Sequence, residues 1–470
     1  MKSIFSVLCF LIFFIGFSQD FSGMLSIKLN KQDKSYASVD DNKSNIVVYF
    51  ANDRKIKAIL LDSKTTFVDT LRSIPFLDYK KIIADNTSNK VAKIVFSNDN
   101  FSSFLVQKFD FNTKTESSKK FSFNSNTKRI VQIFYNNTTL YILSISMFDK
   151  SLLMTSILDD DTISESVIKT ERNVQQTINN LYEYCYSSEK EKFPLVLIKD
   201  NQYNAFAVTK SISKCYLRND AFIICLDKNP IETEILSINL KEKTASNSFI
   251  KRENTENIVS YNSIIIDDKL IQVEQMDMNY SLTIKDFQGT VLKKYSENEI
   301  KKSKFFTEIE LGKIEEIEGK KYFKKVNSKE LGLNFTKRND NIYLNIGSST
   351  NARMPSNDEQ NSSYAQIGLI IGGVIGGLIG ALIDNNKSSP NIDNYSEHFT
   401  KGQTFSQLLI DSNLNVLESS KKDFSHNKLK KQIINSDSFS NPTIFILNEI
   451  YYLGYYKSDE KRYFFKKFQE

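Results

Sequence analysis

Residues 46–62 read IVVYFANDRKIKAILLD, two apolar runs joined by a charged turn at Asn52-Asp53-Arg54. Short runs rich in β-branched and aromatic residues, bounded by turn formers, are the signature of strands. The phrase returns at 91–96 with 104–109, at 140–146 with 152–158, and at 222–226 with 234–240. Further copies stand at 263–265 and 270–276 with 282–286, at 341–346, and at 443–447 with 450–456. Each copy opens on an apolar strand, taken as the inner one, and passes a polar turn into a second strand. That strand ends near Leu-Asp, as at Leu61-Asp62 and Leu158-Asp159. The first three copies start about 47 residues apart, a period that suits propeller blades and solenoid arrays. Short strands at such spacing, with little helix between them, favour radial repetition over a two-domain sandwich. The expected fold is all-β, a β-propeller over residues 19–470 with about seven blades in a range of six to eight. Residues 24–29 are expected to close the ring beside a strand at 463–468.

Composition agrees with this reading. The 470 residues include 35 Phe and 22 Tyr but only 6 Pro and no Trp, a balance that fits pleated, half-buried surfaces. Hydrophobic residues at 40% and charged residues at 25% belong to a globular chain and argue against wholesale disorder. The net charge of +6, lower by one without Lys2, is too small over this length to imply a nucleic-acid partner. One short interruption of the β pattern is helical: Val174, Ile178, Leu181 and Cys185 recur at the spacing of a single helix face.

The longer interruption is residues 350–401, a polar insertion between two strands of one blade. Within it, residues 367–383 read IGLIIGGVIGGLIGALI, without a charge or a polar side chain. Gly368, Gly372, Gly376 and Gly380 repeat every fourth residue, with Gly373 and Gly377 beside the middle two. On a helix the four-residue repeat lines the glycines along one stripe. Each glycine costs about 1 kcal/mol against alanine in a helix in water. Lipid reverses that preference, because backbone hydrogen bonds must close internally and small residues let helices approach. As a helix, 367–383 would be about 26 Å long, slightly short of a hydrocarbon core of about 30 Å. A single crossing would also put two sides of one β domain on opposite faces of a bilayer, so a shallow or re-entrant insertion, or self-association, is expected instead. A buried helix packed on the propeller is the competing account.

Residues 1–18 have the form of a secretory signal peptide: Lys2, an apolar core over 4–17, and Gly16-Phe17-Ser18 as a small-x-small cleavage site. Three cysteines remain after it. An oxidising compartment would allow one bridge, from Cys215 to Cys185 or Cys225, while three buried small residues is the favoured account. Their spacing matches no metal motif, and neither metal nor cofactor is expected. Only His398 and His426 carry imidazole, too few for a histidine-based triad or a multi-histidine site. Carboxylate chemistry needs two acids at a set separation. The runs Asp159-Asp160-Asp161 and Asp267-Asp268 read as solvated turns between strands. Lys320-Lys321-Tyr322-Phe323-Lys324-Lys325 reads as a strand with one solvated face, of a kind that acidic polymers or lipid headgroups would also fit.

The strand phrases resemble exported bacterial β-propellers in general, without a WD or kelch signature. Residues 367–383 resemble the glycine-zipper membrane segments of bacterial envelope proteins, which commonly carry two such helices as a hairpin. Here no second copy follows, since 384–400 is polar. These resemblances imply an exported cell-envelope protein, periplasmic or at the outer membrane. Its expected role is a non-enzymatic binding module with a protein or glycan ligand on a propeller face, and with 367–383 meeting lipid or another copy. The alternative is an exported glycan hydrolase using paired carboxylates in the propeller channel.

Overall fold

The computed structural model describes residues 21–468 apart from 352–400, 418–438 and short connecting stretches. The repeated phrase is the middle of a four-strand unit. Asn45–Asn52 pairs with Lys55–Asp62 in the expected hairpin. Lys34–Val39 and Phe67–Ser73 flank them to complete a first sheet. The second sheet repeats this antiparallel order with Lys81–Ser88, Val91–Ser97, Ser103–Asp110 and Thr115–Ser122. The third follows with Lys128–Asn136, Thr139–Ser146, Leu152–Ile157 and Ile163–Val167, and the fifth with Ser260–Ile266, Lys269–Met276, Asn279–Lys285 and Val291–Tyr295. Among the described residues there are seven sheets, and the arrangement is a β-propeller.

The inner edge differs from the sequence expectation by one strand. Lys34–Val39 lies against both Phe439–Leu447 and Lys81–Ser88, and Lys81–Ser88 lies in turn against Lys128–Asn136. The inner strands are therefore those before the apolar runs. They escaped notice because KSYASV and KIIADNTS are polar beside IVVYF.

The apolar runs are apolar because both of their faces are covered. Ile46, Val48 and Phe50 pack with Phe445, Tyr463 and Phe465 of the seventh sheet. Val47 and Tyr49 point the other way, onto Ile94 and Phe109 of the second. Similar seams join the second sheet to the third through Val95, Phe104, Ile133 and Ile142. The third and fourth meet where the rings of Phe134 and Phe222 stack with centroids 4.2 Å apart. Outer strands such as Thr115–Ser122 are largely exposed, which matches their Ser and Lys content. Two-residue turns join many of the hairpins. Asn89-Lys90 and Asn448-Glu449 have positive φ at both positions, as type I′ turns demand.

Two sheets depart from the plan. The fourth holds Ser213–Arg218, Ala221–Leu226, Glu232–Asn239 and Thr244–Lys251 in order, with Val196–Leu197 added inside and Lys169–Thr170 outside, both parallel to their neighbours. Between those two additions runs helix α1 (Val174–Ser187), where Val174, Ile178, Leu181 and Cys185 are all buried as their spacing requires. Helix α2 (Phe206–Thr209) follows. In the sixth sheet the outer strands Phe306–Glu310 and Lys313–Glu316 come first in the chain. Helix α3 (Gly319–Asn327) then leads to Gly332–Arg338, Asn341–Asn351 and Lys401–Ile410. This helix replaces the strand expected at Lys320–Lys325. Tyr322, Phe323 and Val326 are its buried residues, a helical spacing and not an alternating one.

Phe21–Ser26 completes the seventh sheet by pairing with Arg462–Phe468, outside Phe439–Leu447 and Ile450–Lys457. An early and a late strand of the chain are thus joined in one sheet, as the sequence suggested.

Candidate functional site

The six glycines at 368, 372, 373, 376, 377 and 380 lie outside the described residues, as do His398, His426 and residues 1–18, read above as a signal peptide. The strands that carry the insertion are described. Asn341–Asn351 and Lys401–Ile410 pair without a break from Ile342 opposite Ile410 to Asn351 opposite Lys401. From Ser348 onward the pairs extend past the end of Gly332–Arg338, with Phe306–Glu310 still paired to Gln403 and Thr404. Only Thr350 with Gly402 and Asn351 with Lys401 stand as a two-stranded ribbon. Just before this extension, close packing requires Gly347, where a Cβ would run into the Thr404 carbonyl oxygen.

The acidic runs are turns. Asp267-Asp268 connects two strands of the fifth sheet, with Asp267 at a φ of 55°. Asp159, Asp160 and Asp161 link the last two strands of the third. There Asp159 pairs with Lys93, and Asp161 stands 3.3 Å from Lys119 Nζ. In α3, Lys321 and Lys325 both reach Glu308.

The inner side of the ring is occupied from the fourth sheet. Leu195 accepts a hydrogen bond from Gln132 Nε2 of the third sheet at 3.1 Å. Lys199 Nζ stands 3.6 Å from Asp85 Oδ1, on the inner strand of the second sheet. Phe206 packs on Phe405 of the sixth sheet, and a Cβ on Gly332 would meet it at 3.0 Å. The Thr209 carbonyl accepts from Asn262 Nδ2 of the fifth at 3.1 Å. The described residues between Leu195 and Thr209 therefore touch four other sheets, on both sides of their own.

Among the described residues, a group of charges is buried between the fourth and fifth sheets. Asp227, Arg252 and Lys214 are all inaccessible. One Asp227 oxygen accepts from Arg252 Nη2 and from the Thr233 hydroxyl at 2.8 Å. The other accepts from the Ser263 amide at 2.9 Å and its hydroxyl at 2.6 Å, with Lys214 Nζ 3.8 Å away. Burial alone would raise the Asp227 carboxyl, but Arg252 and Lys214 outweigh it and hold the group below its ordinary range. Lys214 moves down through burial, partly offset by Asp227, and donates to Asn262 Oδ1 at 2.6 Å. Arg252 also lies over the Tyr261 ring, 4.7 Å from its centroid.

Glu274 belongs to the same seam. It sits opposite Tyr261 on one neighbouring strand and Ser281 on the other. Burial pushes its carboxyl up, against the partial opposition of the Arg252 charge and the Ser281 hydroxyl. Opposed shifts on two nearby acids are the pattern of acid–base pairs. Here, however, both Asp227 and Glu274 are 0% exposed, so no substrate reaches them.

The cysteines are free and buried. Cys215 and Cys225 occupy offset positions on paired strands, Cys215 opposite Ile224 and Lys214 opposite Cys225, so their side chains face opposite sides of the sheet. Cys215 and Cys185 lie in the seam to the third sheet, and Cys225 in that to the fifth. An open recess of about 510 Å³ over the fourth sheet is lined by Ser237, Asn239, Thr244 and Ser246 with Lys169 and Glu171. It offers a single carboxylate. Among the described residues no three His, Cys, Asp or Glu side chains gather to hold a metal, and no helix is long and apolar enough to cross a membrane.

The molecule is a β-propeller protein. No family model matches the chain, and no curated protein matches it. Among solved structures it is similar to the β-propeller domain of the Trilobed protease from Pyrococcus furiosus, at 7% identity, covering 93% of this chain and 96% of that one, with a TM-score of 0.34. Prolyl oligopeptidase B from Galerina marginata matches at 8% identity over 67% of this chain and 38% of its own, also at 0.34. The ACO/RPE65 chimera matches at 9% identity over 55% of this chain and 60% of that one, at 0.30. The chain thus spans less than two thirds of the length of these last two structures. The propeller assignment rests on the strand pairing and not on these likenesses.

Proposed function

We propose that the protein is an exported cell-envelope β-propeller, each of its seven sheets one blade. On this reading it acts as a non-enzymatic binding module whose glycine-zipper segment, 367–383, associates with a membrane or with another copy. The observation that carries this is the pairing of Asn351 with Lys401. Partners in an antiparallel ladder stand about 5 Å apart, so the insertion leaves and re-enters the propeller at one point. A single crossing is incompatible with that, whereas a shallow or re-entrant insertion, or contact between insertions of two copies, accommodates it. A protein or glycan ligand would then bind on a propeller face, where the residues around Lys199 and Phe206 reach the second and sixth sheets. The alternative is a glycan hydrolase, for which the buried pair Asp227 and Glu274 does not supply the carboxylates.

Flotation with liposomes tests this. The mature protein is expected to float, and a variant lacking 365–384 to stay in the dense fraction while keeping its thermal transition. If neither floats and sedimentation finds both monomeric, the segment is not an association device. If the deletion unfolds the domain, the segment belongs to the core.

A further inference from the structure

We propose that Glu274 is a proton-operated latch on the seam between the fourth and fifth sheets, closed when the carboxyl is protonated and loosened when it ionises. Both carboxylate oxygens are buried without a hydrogen-bond partner of normal geometry. Arg252 Nε and Nη1 are buried without one as well, and so are Gln272 Oε1 and Thr283 Oγ1. Gln272 and Thr283 stand opposite each other, and Glu274 and Ser281 form the next pair along the same face. This face is therefore less well satisfied than the rest of the seam. The fixed charge of Arg252 is already committed to Asp227, through an Nη2 bond that also touches Thr233.

The groups that face Glu274 set the direction of the response. From the fourth sheet and the turn after it come Asp227, Arg252 and Glu253. From its own sheet come Tyr261 and Lys285, and Lys285 is held by Glu253 at 2.8 Å. Arg252 and Lys285 favour the carboxylate, Glu253 disfavours it, and burial prevails. An acid raised on folding contributes stability that is fully present below the ordinary carboxylate range. That contribution is lost as pH rises through the folded value. Ionisation thus weakens the seam where the carboxylate has no partner, and does so locally, because the charge is buried in this seam and faces no other.

Cys225 gives a local reporter. Its thiol lies 3.2 Å from Ser263 Oγ in this seam, whereas Cys185 and Cys215 lie in the seam to the third sheet. The experiment measures labelling of each thiol in the whole protein by a neutral thiol reagent between pH 5 and 8. Rates are divided by those of the urea-unfolded chain at the same pH, so that thiolate content cancels. Protection of Cys225 is expected to fall about tenfold for each unit by which Glu274 is raised, while that of Cys185 and Cys215 stays level. E274Q, similar in shape and uncharged, should flatten the Cys225 profile. A flat wild-type profile overturns the latch without any variant. So does a fall shared by all three thiols, which means global unfolding, or a profile that E274Q leaves unchanged.

Discussion

D227A is expected to lower the unfolding free energy by about 3–5 kcal/mol, the usual cost of breaking a buried ion pair by removing one partner. Asp227 is the centre of its network. It accepts from Arg252, Thr233 and both donors of Ser263, and Lys214 faces it. Without it, two cations stay buried facing no carboxylate partner. D227N should cost less, because it keeps the acceptor that the Ser263 amide needs. Replacing Lys214, Asp227 and Arg252 together by apolar residues of matched volume should recover much of the loss, since buried ion pairs often exchange for hydrophobic packing at little cost. The pH dependence has a definite sign. A carboxyl held below its unfolded value contributes stability that is present above about pH 3.9 and lost as pH falls through the folded value. Wild type should therefore lose stability on acidification through this group, and D227N should lose less. Urea unfolding at several pH values measures both terms. A midpoint for D227A within error of wild type at pH 7 would show that the network contributes nothing net.

This network was invisible in the sequence, and the reason is geometric. Asp227 follows the strand Ala221–Leu226 and reads there as a turn residue, while Arg252 follows Thr244–Lys251 and Ser263 lies on the next sheet. Nothing in the local pattern joins them. The propeller was legible because its seams bury both faces of the second and third strands, which forces continuous apolar runs such as IVVYF and AILL. The inner strands were less legible because fewer of their residues meet a neighbouring sheet. Helix α1 announced itself through a full four-point face. Helix α3 did not, because its length of 9 residues holds only three buried ones, set among lysines that suit a solvated strand equally well. The stretch around Lys199 carries no periodicity at all, and its contacts are made with Asp85 and Phe405, far away in the chain.

A chain shortened to begin after Ser26 should lose about 4 kcal/mol and gain a tendency to self-associate. Phe21–Ser26 is the outer strand of the seventh sheet, so its removal bares the full edge of Arg462–Phe468, and Leu25 loses a buried position worth about 1.5–3 kcal/mol. The ladder hydrogen bonds from Gly23 to Ser26 add roughly 1 kcal/mol each net of exchange with water, offset in part by the conformational entropy of ordering the strand. The strand also ties the first residues of the ring to the last, so its loss removes a constraint on opening as well as a contact. A bared strand edge is a template for pairing with another chain, which is why association should accompany the loss of stability. G23V makes a gentler test, since a Cβ at that position would stand 2.4 Å from the Thr65 carbonyl oxygen and push the strand away without removing it. A synthetic peptide covering residues 21–26, added at high concentration, should return part of the thermal stability of the truncated chain and reduce its association, as seen by light scattering. If the truncated protein instead keeps the wild-type midpoint and stays monomeric, the strand is an appendage, and the inner contact between Phe439–Leu447 and Lys34–Val39 closes the ring by itself.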